Sequence, residues 1–397
     1  MRLRRAASAA IVVAGSVLPL GAAHAAPSPH DLAAFVAGLW PDAERAGVPR
    51  PVFDAAFAGV TPDPGLAALI RAQPEFAKPI GAYLAAQVTL GRIAAGRAAL
   101  GRWHDALAGI ADRTGVPPAI VVAVWGLETN YGAQAGSKDV IRSLATLGAL
   151  GWRPELMRGE LVAALTLVRD GAVARSQLRG SWAGAMGQPQ FMPSSFARYA
   201  VDGDGDGRRD IWGDVPDALA SIANFLKQQG WQAGRPWGVE VRLPPGFDPG
   251  TSQGGFAQWA GRGLVQADGT PLPDGGDATL FFPAGADGPA FLVTANYPVI
   301  KTYNFSDAYV LSVATLADRI AGGRGVAASW PAAPGMGRDA RIALQARLAA
   351  LGYPVDNREG RISLALRDTI RAAQRKVGLV PDGNPTVALL KALDGAE

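Results

Sequence analysis

Glu128 ends a run, Ala119–Leu127, that has no polar face. As a helix such a run must be surrounded by protein, and it then carries one carboxyl to the edge of an apolar layer. Burial disfavours the charged form of an acid, so a carboxyl held there stays protonated toward neutral pH and can donate a proton. The plainer alternative is a helix-terminal Glu that reaches water or pairs with an Arg. A second constellation is Asp202-Gly203-Asp204-Gly205-Asp206-Gly207-Arg208-Arg209-Asp210. Alternating Asp and Gly lets several oxygens converge on one hard cation, with Gly207 at the sharp turn and the Arg208 carbonyl as a further ligand. Gly213 stands where a loop of this kind ends in a bidentate Glu. Asp214 or Asp217 must then supply that ligand, and Asp217, at a helix start, is the better candidate. Asp202, Asp204, Asp206, Arg208, Asp210 and Asp217 are thus expected to hold Ca²⁺ in a structural role; the alternative is a solvated Asp-Gly turn.

The elements that would position these groups are mostly helical. Pro117-Pro118 fits the first turn of the apolar helix, and Thr129-Asn130-Tyr131-Gly132 reads as its stop. Helical periodicity is expected over Leu32 to Gly59 up to the breakers Pro62 and Pro64, from Pro79 through Arg113, around Leu144–Leu147, over Glu160–Arg169, over Asp217–Gln228 and over Asp307–Ile320. Ser181–Phe191, rich in Gly and short of charge, reads as a loop packed close to something. Between Arg235 and Val299 Gly and Pro are dense around strand-like runs such as Val239–Leu243 and Ala290–Val293, which predicts a small β subdomain. Residues 323–337 read as a linker, and the last 60 residues or so as a compact helical module.

Composition removes whole classes of chemistry. A chain of 397 residues with 49% hydrophobic and 18% charged residues folds as two or three globular units. It contains no Cys, which excludes thiol catalysis, disulfides, Cys-based zinc sites and lipidation at a mature N-terminal Cys. Three His are too few for a His-rich metal site, and His24 lies in the leader. Arg2, Arg4 and Arg5, the apolar stretch Ala6–Leu20 and Ala23-His24-Ala25 read as a signal peptide, residues 1–25, cut before Ala26; an uncleaved anchor is the alternative. Of 38 Lys and Arg, those three leave with it, so 35 face 34 Asp and Glu. That balance, without a basic aromatic-laced patch, argues against nucleic acid as a partner. The mature chain is expected in the periplasm, without a stable membrane span and as a monomer.

Four stretches in the same order resemble the lytic murein transglycosylase B family. They are Gly126–Gly132, Ser181–Ser195, the Asp-Gly loop and Tyr303-Asn304-Phe305-Ser306. The resemblance implies a mainly α (α+β) fold: a lysozyme-like helical catalytic core with a small β subdomain, over residues 26–322. It also implies cleavage of the β-1,4 bond between N-acetylmuramic acid and N-acetylglucosamine of peptidoglycan glycan strands, with release of 1,6-anhydro ends. By it Glu128 takes the place of the sole acid/base, and Ser181, Gln190, Tyr303 and Asn304 take those of residues that contact sugar. Phe225 stands where some members have a Tyr. Separately, Leu344-Gln345, Leu351-Gly352-Tyr353, Gln374, Gly378-Leu379 and Asp382-Gly383 resemble a three-helix peptidoglycan-binding domain, residues 338–397. The rivals are a muramidase that uses water on the same bond, a non-catalytic peptidoglycan-binding scaffold, and a Ca²⁺-responsive binding protein.

Overall fold

The computed structural model of the protein describes residues 27–72, 78–332 and 335–395. The expected signal peptide, residues 1–25, lies outside the described residues. The described residues of 1–73 and 94–229 form one compact unit, and those of 74–93 and 230–397 another.

In chain order the helices up to residue 129 are α1 (Pro29–Arg45), α2 (Arg50–Phe57), α3 (Leu66–Ala72), α4 (Ile80–Gln87), α5 (Leu90–Arg102), α6 (His104–Thr114) and α7 (Pro118–Thr129). The pattern expected over Leu32–Gly59 is therefore two helices, broken where Gly47 takes a positive φ and Pro49 precedes α2. The Pro79–Arg113 pattern is three. Next come β1 (Lys138–Asp139), α8 (Val140–Ala149), α9 (Pro154–Arg169), β2 (Arg179–Gly180), α10 (Pro193–Tyr199) and α11 (Val215–Gln228). β1 and β2 pair antiparallel.

The core of the first unit forms around α7, in which Ile120 through Gly126 are buried on every side. Asn130 ends it in the left-handed region at φ 50°, and its N–H donates to the Gly126 carbonyl. α8 starts on Asp139, whose side chain accepts from the Arg142 N–H at 3.0 Å. α11 starts on Asp214, which accepts from the Asp217 N–H at 2.9 Å. Such caps satisfy donors that a helix start leaves unpaired.

The second unit holds β3 (Gly238–Arg242), β4 (Gln253–Gly255), α12 (Phe256–Gly261), β5 (Val265–Gln266), β6 (Asp277–Phe281) and β7 (Ala290–Val293). These strands form one antiparallel sheet in the order β4-β6-β7-β3-β5, with Leu280 opposite Leu292 and Phe281 opposite Phe291. One face buries Leu280, Leu292, Val241 and Trp259. Residues of alternate parity turn the other way, and Phe281 meets Tyr297 at 5.2 Å between ring centroids. Then follow α13 (Asn296–Tyr303) and α14 (Asp307–Ile320).

Among the described residues, 323–337 carry no helix or strand. They are nonetheless fastened: the Ala327 and Ala328 N–H groups donate to the Glu240 carboxylate at 2.7 and 2.8 Å. α15 (Arg338–Ala350), α16 (Leu364–Lys376) and α17 (Val387–Asp394) complete the chain around Leu344, Leu348, Leu366, Ile370, Leu389 and Leu393. Gln345 and Gln374, both buried, accept from the Gly360 and Gly383 N–H groups at 2.7 and 2.8 Å. The fold is mostly helical with a small sheet, as expected.

Candidate active site

Glu128 lies in the last turn of α7, at the point where burial gives way: Val121–Gly126 are buried, whereas Leu127 and Glu128 are half-buried. The carboxyl therefore sits at the rim of the core, more open than the apolar run alone suggests. The surrounding backbone is held from the Ser181–Phe191 loop. The Trp125 Nε1–H donates to Gln188 Oε1 at 2.9 Å, and the Thr129 hydroxyl donates to the Gln188 carbonyl at 3.1 Å. Gln188 Nε2 in turn donates to the Trp212 carbonyl at 3.1 Å, and its N–H to the Ile211 carbonyl at 2.8 Å. Gln188 and Trp125 are 5% and 4% exposed, so these bonds work away from water. After the helix, Tyr131 packs edge-on against Trp125 at 5.5 Å. A Cβ at Gly126 would overlap the Tyr131 ring at 2.6 Å, so only Gly allows this turn-back.

The loop itself is built by close approach. Met186 pairs with Phe191 in an isolated antiparallel bridge, and Ser181 Oγ accepts from the Ala185 N–H at 3.1 Å. Gln190 adopts φ 54°, and its Nε2 donates to the Ala135 carbonyl at 3.1 Å and the Gly187 carbonyl at 2.8 Å. A Cβ at Gly180 would clash with the Ala185 carbonyl. Behind the loop, the buried Glu160 accepts from the Ser194 N–H at 2.9 Å and hydroxyl at 2.7 Å, which caps the entry to α10. Burial raises the Glu160 pKa above the ordinary carboxylate value, against the lowering effect of the two Ser194 bonds.

Glu128, Ser181 and Gln190 thus belong to the first unit, and Tyr303 and Asn304 to the second. Tyr303 is the last residue of α13 and Asn304 follows it as its cap, so the pair ends one helix and does not start the next. Asn304 Oδ1 accepts from the Ser306 N–H at 3.1 Å. Phe225 is 3% exposed in a cluster with Phe191 and Tyr199, ring centroids 5.8 and 4.8 Å away. The sequence reading did not single out Gln188 or Glu160 as site residues. The one signal for Gln188 is chemical: a Trp on an otherwise apolar helix needs an acceptor for its indole N–H.

Of the expected cation ligands, Asp202, Asp204 and Asp217 each bring a carboxylate oxygen within 4.8 Å of the others. Asp206 and Asp210 stand outside that group. Asp206 accepts from the Arg208 N–H at 2.7 Å, and Asp210 from the Trp212 and Gly213 N–H groups, both at 2.9 Å. Asp217 is 1% exposed, and its two oxygens accept from the Gly203 and Asp210 N–H groups, each at 2.6 Å. Burial raises its pKa despite those bonds, and Asp214 and Asp204 add repulsion. The Gly207 and Gly205 N–H groups hold the Asp202 pKa down. Three convergent carboxylates, one of them buried, fit a hard divalent cation.

Residues 31–318 match the transglycosylase SLT domain model, and residues 337–393 that of a putative peptidoglycan binding domain. The chain belongs to the transglycosylase SLT domain family and carries a peptidoglycan-binding domain after it. It is 36% identical over 227 residues to the membrane-bound lytic murein transglycosylase B of Escherichia coli (strain K12), a match spanning 55% of this chain and 61% of that relative. It is also similar to SltB3 from Pseudomonas aeruginosa, solved in complex with NAG-anhNAM-pentapeptide: 45% identity, TM-score 0.81, covering 91% of this chain and 99% of that one. Escherichia coli Slt35, solved in complex with calcium, is similar at 28% identity and TM-score 0.61, over 77% of this chain and 98% of that one.

Proposed function

We propose that this protein is a lytic transglycosylase that cleaves the β-1,4 bond between N-acetylmuramic acid and N-acetylglucosamine in peptidoglycan without water. The observation that carries the reading is Glu128 itself, a carboxyl at the half-buried end of a helix buried from Ile120 to Gly126, with Trp125 and Thr129 beside it bonded to Gln188. Glu128 as the acid protonates the bridging oxygen, and the bond from that oxygen to the muramyl anomeric carbon breaks. Glu128, now a carboxylate, takes the proton from the C6 hydroxyl of the same sugar, and that oxygen bonds to the anomeric carbon. The product is a 1,6-anhydromuramyl end, and Glu128 is left protonated as at the start. The N-acetyl group assists through an oxazolinium-like intermediate. Internal attack needs no second carboxylate to activate water and gains from effective molarity. The likeness to a protein solved with NAG-anhNAM-pentapeptide supports this product. Ser181, Gln190, Tyr303 and Asn304 contact the sugars, and the C-terminal module binds the wall.

Ca²⁺ belongs to the same reading. Asp202, Asp204 and Asp217 would hold it and tie the loop after α10 to the start of α11, a structural role supported by the calcium complex of a similar protein. We also place the mature chain in the periplasm as a monomer, with residues 1–25 removed, 26–322 catalytic, 323–337 connecting and 338–397 binding the wall. Among the described residues no single helix is long and apolar enough to cross a membrane; the bent pair α6 and α7 passes only in combination.

The test is mass spectrometry of purified peptidoglycan digested by the mature protein and by its Glu128→Gln variant. Muropeptides one water lighter than hydrolysis products, absent with the variant, are expected. Reducing ends would assign a muramidase, and no product from either protein a binding scaffold.

A further inference from the structure

The junction between α13 and α14, Asn304-Phe305-Ser306, is gripped by side chains and backbone of the C-terminal module. Asp307, the first residue of α14, is almost fully enclosed. Its Oδ1 accepts from the Tyr297 hydroxyl at 2.8 Å and from Lys301 Nζ, both reaching from α13. Its Oδ2 accepts from Arg367 Nη2, on α16, at 2.9 Å. Lys301 also donates to the Ile362 carbonyl of the module at 2.7 Å. Two cations stand over the Phe305 ring, Lys301 Nζ at 5.1 Å and the Arg361 guanidinium at 5.2 Å from its centroid. Lys301 on α13, Phe305 in the junction and Asp307 at the start of α14 therefore each take a partner from the module. Burial alone would raise the Asp307 pKa, but the Lys301 and Arg367 charges and the Lys301 and Tyr297 bonds bring it down to about 2. The carboxylate is ionised at working pH, and an ionised buried carboxylate needs its partners.

We propose that Arg367 is a positioning residue of the sugar-binding cleft: with Arg361 and Ile362 it fixes the α13–α14 junction that presents Tyr303 and Asn304. The proposal rests on the assignment of those two residues to sugar contact. The module then does more than hold the wall, because its α16 completes part of the catalytic domain. A second anchor supplies the contrast. Arg371, also on α16 and 2% exposed, donates to the Leu280 carbonyl of the sheet at 2.7 Å and pairs with Asp368 at 2.8 Å. It fastens the module without being among the groups that hold the junction.

The experiment uses the full mature chain with a short soluble glycan of alternating N-acetylglucosamine and N-acetylmuramic acid, so that wall affinity does not enter. Arg367→Met is expected to raise KM about tenfold with kcat within about twofold, because binding contacts are misplaced while Glu128 is not. Arg367→Lys, which keeps the charge, is expected to restore part of the loss. Arg371→Met is expected to leave KM within about twofold of the parent. An unchanged KM in Arg367→Met, or the same rise in both Met variants, overturns the proposal. If Arg367→Met does not fold by circular dichroism, Arg361→Gln, at a partly exposed side chain, replaces it, with an expected KM rise of about threefold. Should the parent not cleave the glycan at all, the assignment of function fails and this proposal falls with it. Cleavage by the parent with normal KM in the variants refutes this proposal alone.

Discussion

Gln188→Met tests whether the loop after β2 sets the geometry of Glu128. The substitution keeps the length of the side chain and removes two hydrogen bonds, from the Trp125 indole at 2.9 Å and to the Trp212 carbonyl at 3.1 Å. The Thr129 hydroxyl keeps its bond, since it uses the Gln188 backbone. The indole donor is the costly loss, because it is left unpaired beside a helix buried on every side; such an orphan costs about 1–3 kcal/mol. Trp212 is half-buried, so its carbonyl regains water and adds about 0.5–1 kcal/mol. The sum is about 1.5–4 kcal/mol, which for a unit of this size lowers the melting temperature by about 3–16 °C. Activity should fall further than stability explains. A shift of the α7 terminus that costs about 1.4 kcal/mol in transition-state positioning lowers kcat tenfold. The assay is release of anhydromuropeptides well below the melting point, with KM and kcat separated. A protein that melts early yet turns over at the parental rate would make Gln188 a brace for stability only. Unchanged melting and turnover would refute the energetic reasoning itself.

Further predictions follow from buried acids and the loop. Asp318, whose carboxylate accepts from the Trp237 indole at 3.2 Å, has its pKa raised from 3.8 to about 6 by burial, with the Trp237 bond acting against it. An acid with a raised folded pKa favours the fold when protonated. Its contribution is therefore full below about pH 4 and lost as pH rises through about 6. Asp318→Asn should remove up to about 3 kcal/mol of that pH dependence, read from urea melts between pH 4 and 7; an unaltered slope would contradict the burial argument. Addition of Ca²⁺ to metal-free protein should stabilise it by about 2.7 kcal/mol at a hundredfold excess over Kd, and Asp217→Asn should abolish the effect. Equal stabilisation of both proteins in differential scanning calorimetry would place the ion elsewhere. Glu160→Gln should lower stability by about 1–2 kcal/mol, since it weakens the cap on the Ser194 N–H and hydroxyl, while KM changes little; a large KM change would give Glu160 a part in the cleft.

How much of this was legible in the sequence depended on the range of the interaction that decides each element. α7, α11 and α14 were read to within a few residues because burial on one or all faces writes itself into local periodicity. The break between α1 and α2 was missed: Gly47 and Pro49 interrupt a pattern whose apolar residues continue on both sides. Two of the five strands of the sheet were expected from apolar runs. β4, of sequence Gln253-Gly254-Gly255, carries no such signal; it is a strand only because β6 pairs with it from more than twenty residues away. The same distinction governs the site. Alternating Asp and Gly pointed to a cation loop, but the sequence does not show that Asp202, Asp204 and Asp217 bring their carboxylates together while Asp206 and Asp210 accept from nearby backbone N–H groups. Arg367 and Arg371 are the clearest case. In the sequence they are ordinary charges on a polar helix, the type expected to face water. They are buried because the sheet offers them carbonyl oxygens at Phe282 and Leu280, and Asp307 offers one a carboxylate. No local pattern encodes such acceptors, which come from β6 and the residue after it, some ninety residues earlier. The residues of the module that reach β6 and α14 are thus the ones its own sequence pattern marks as surface, and only the acceptors opposite them show otherwise.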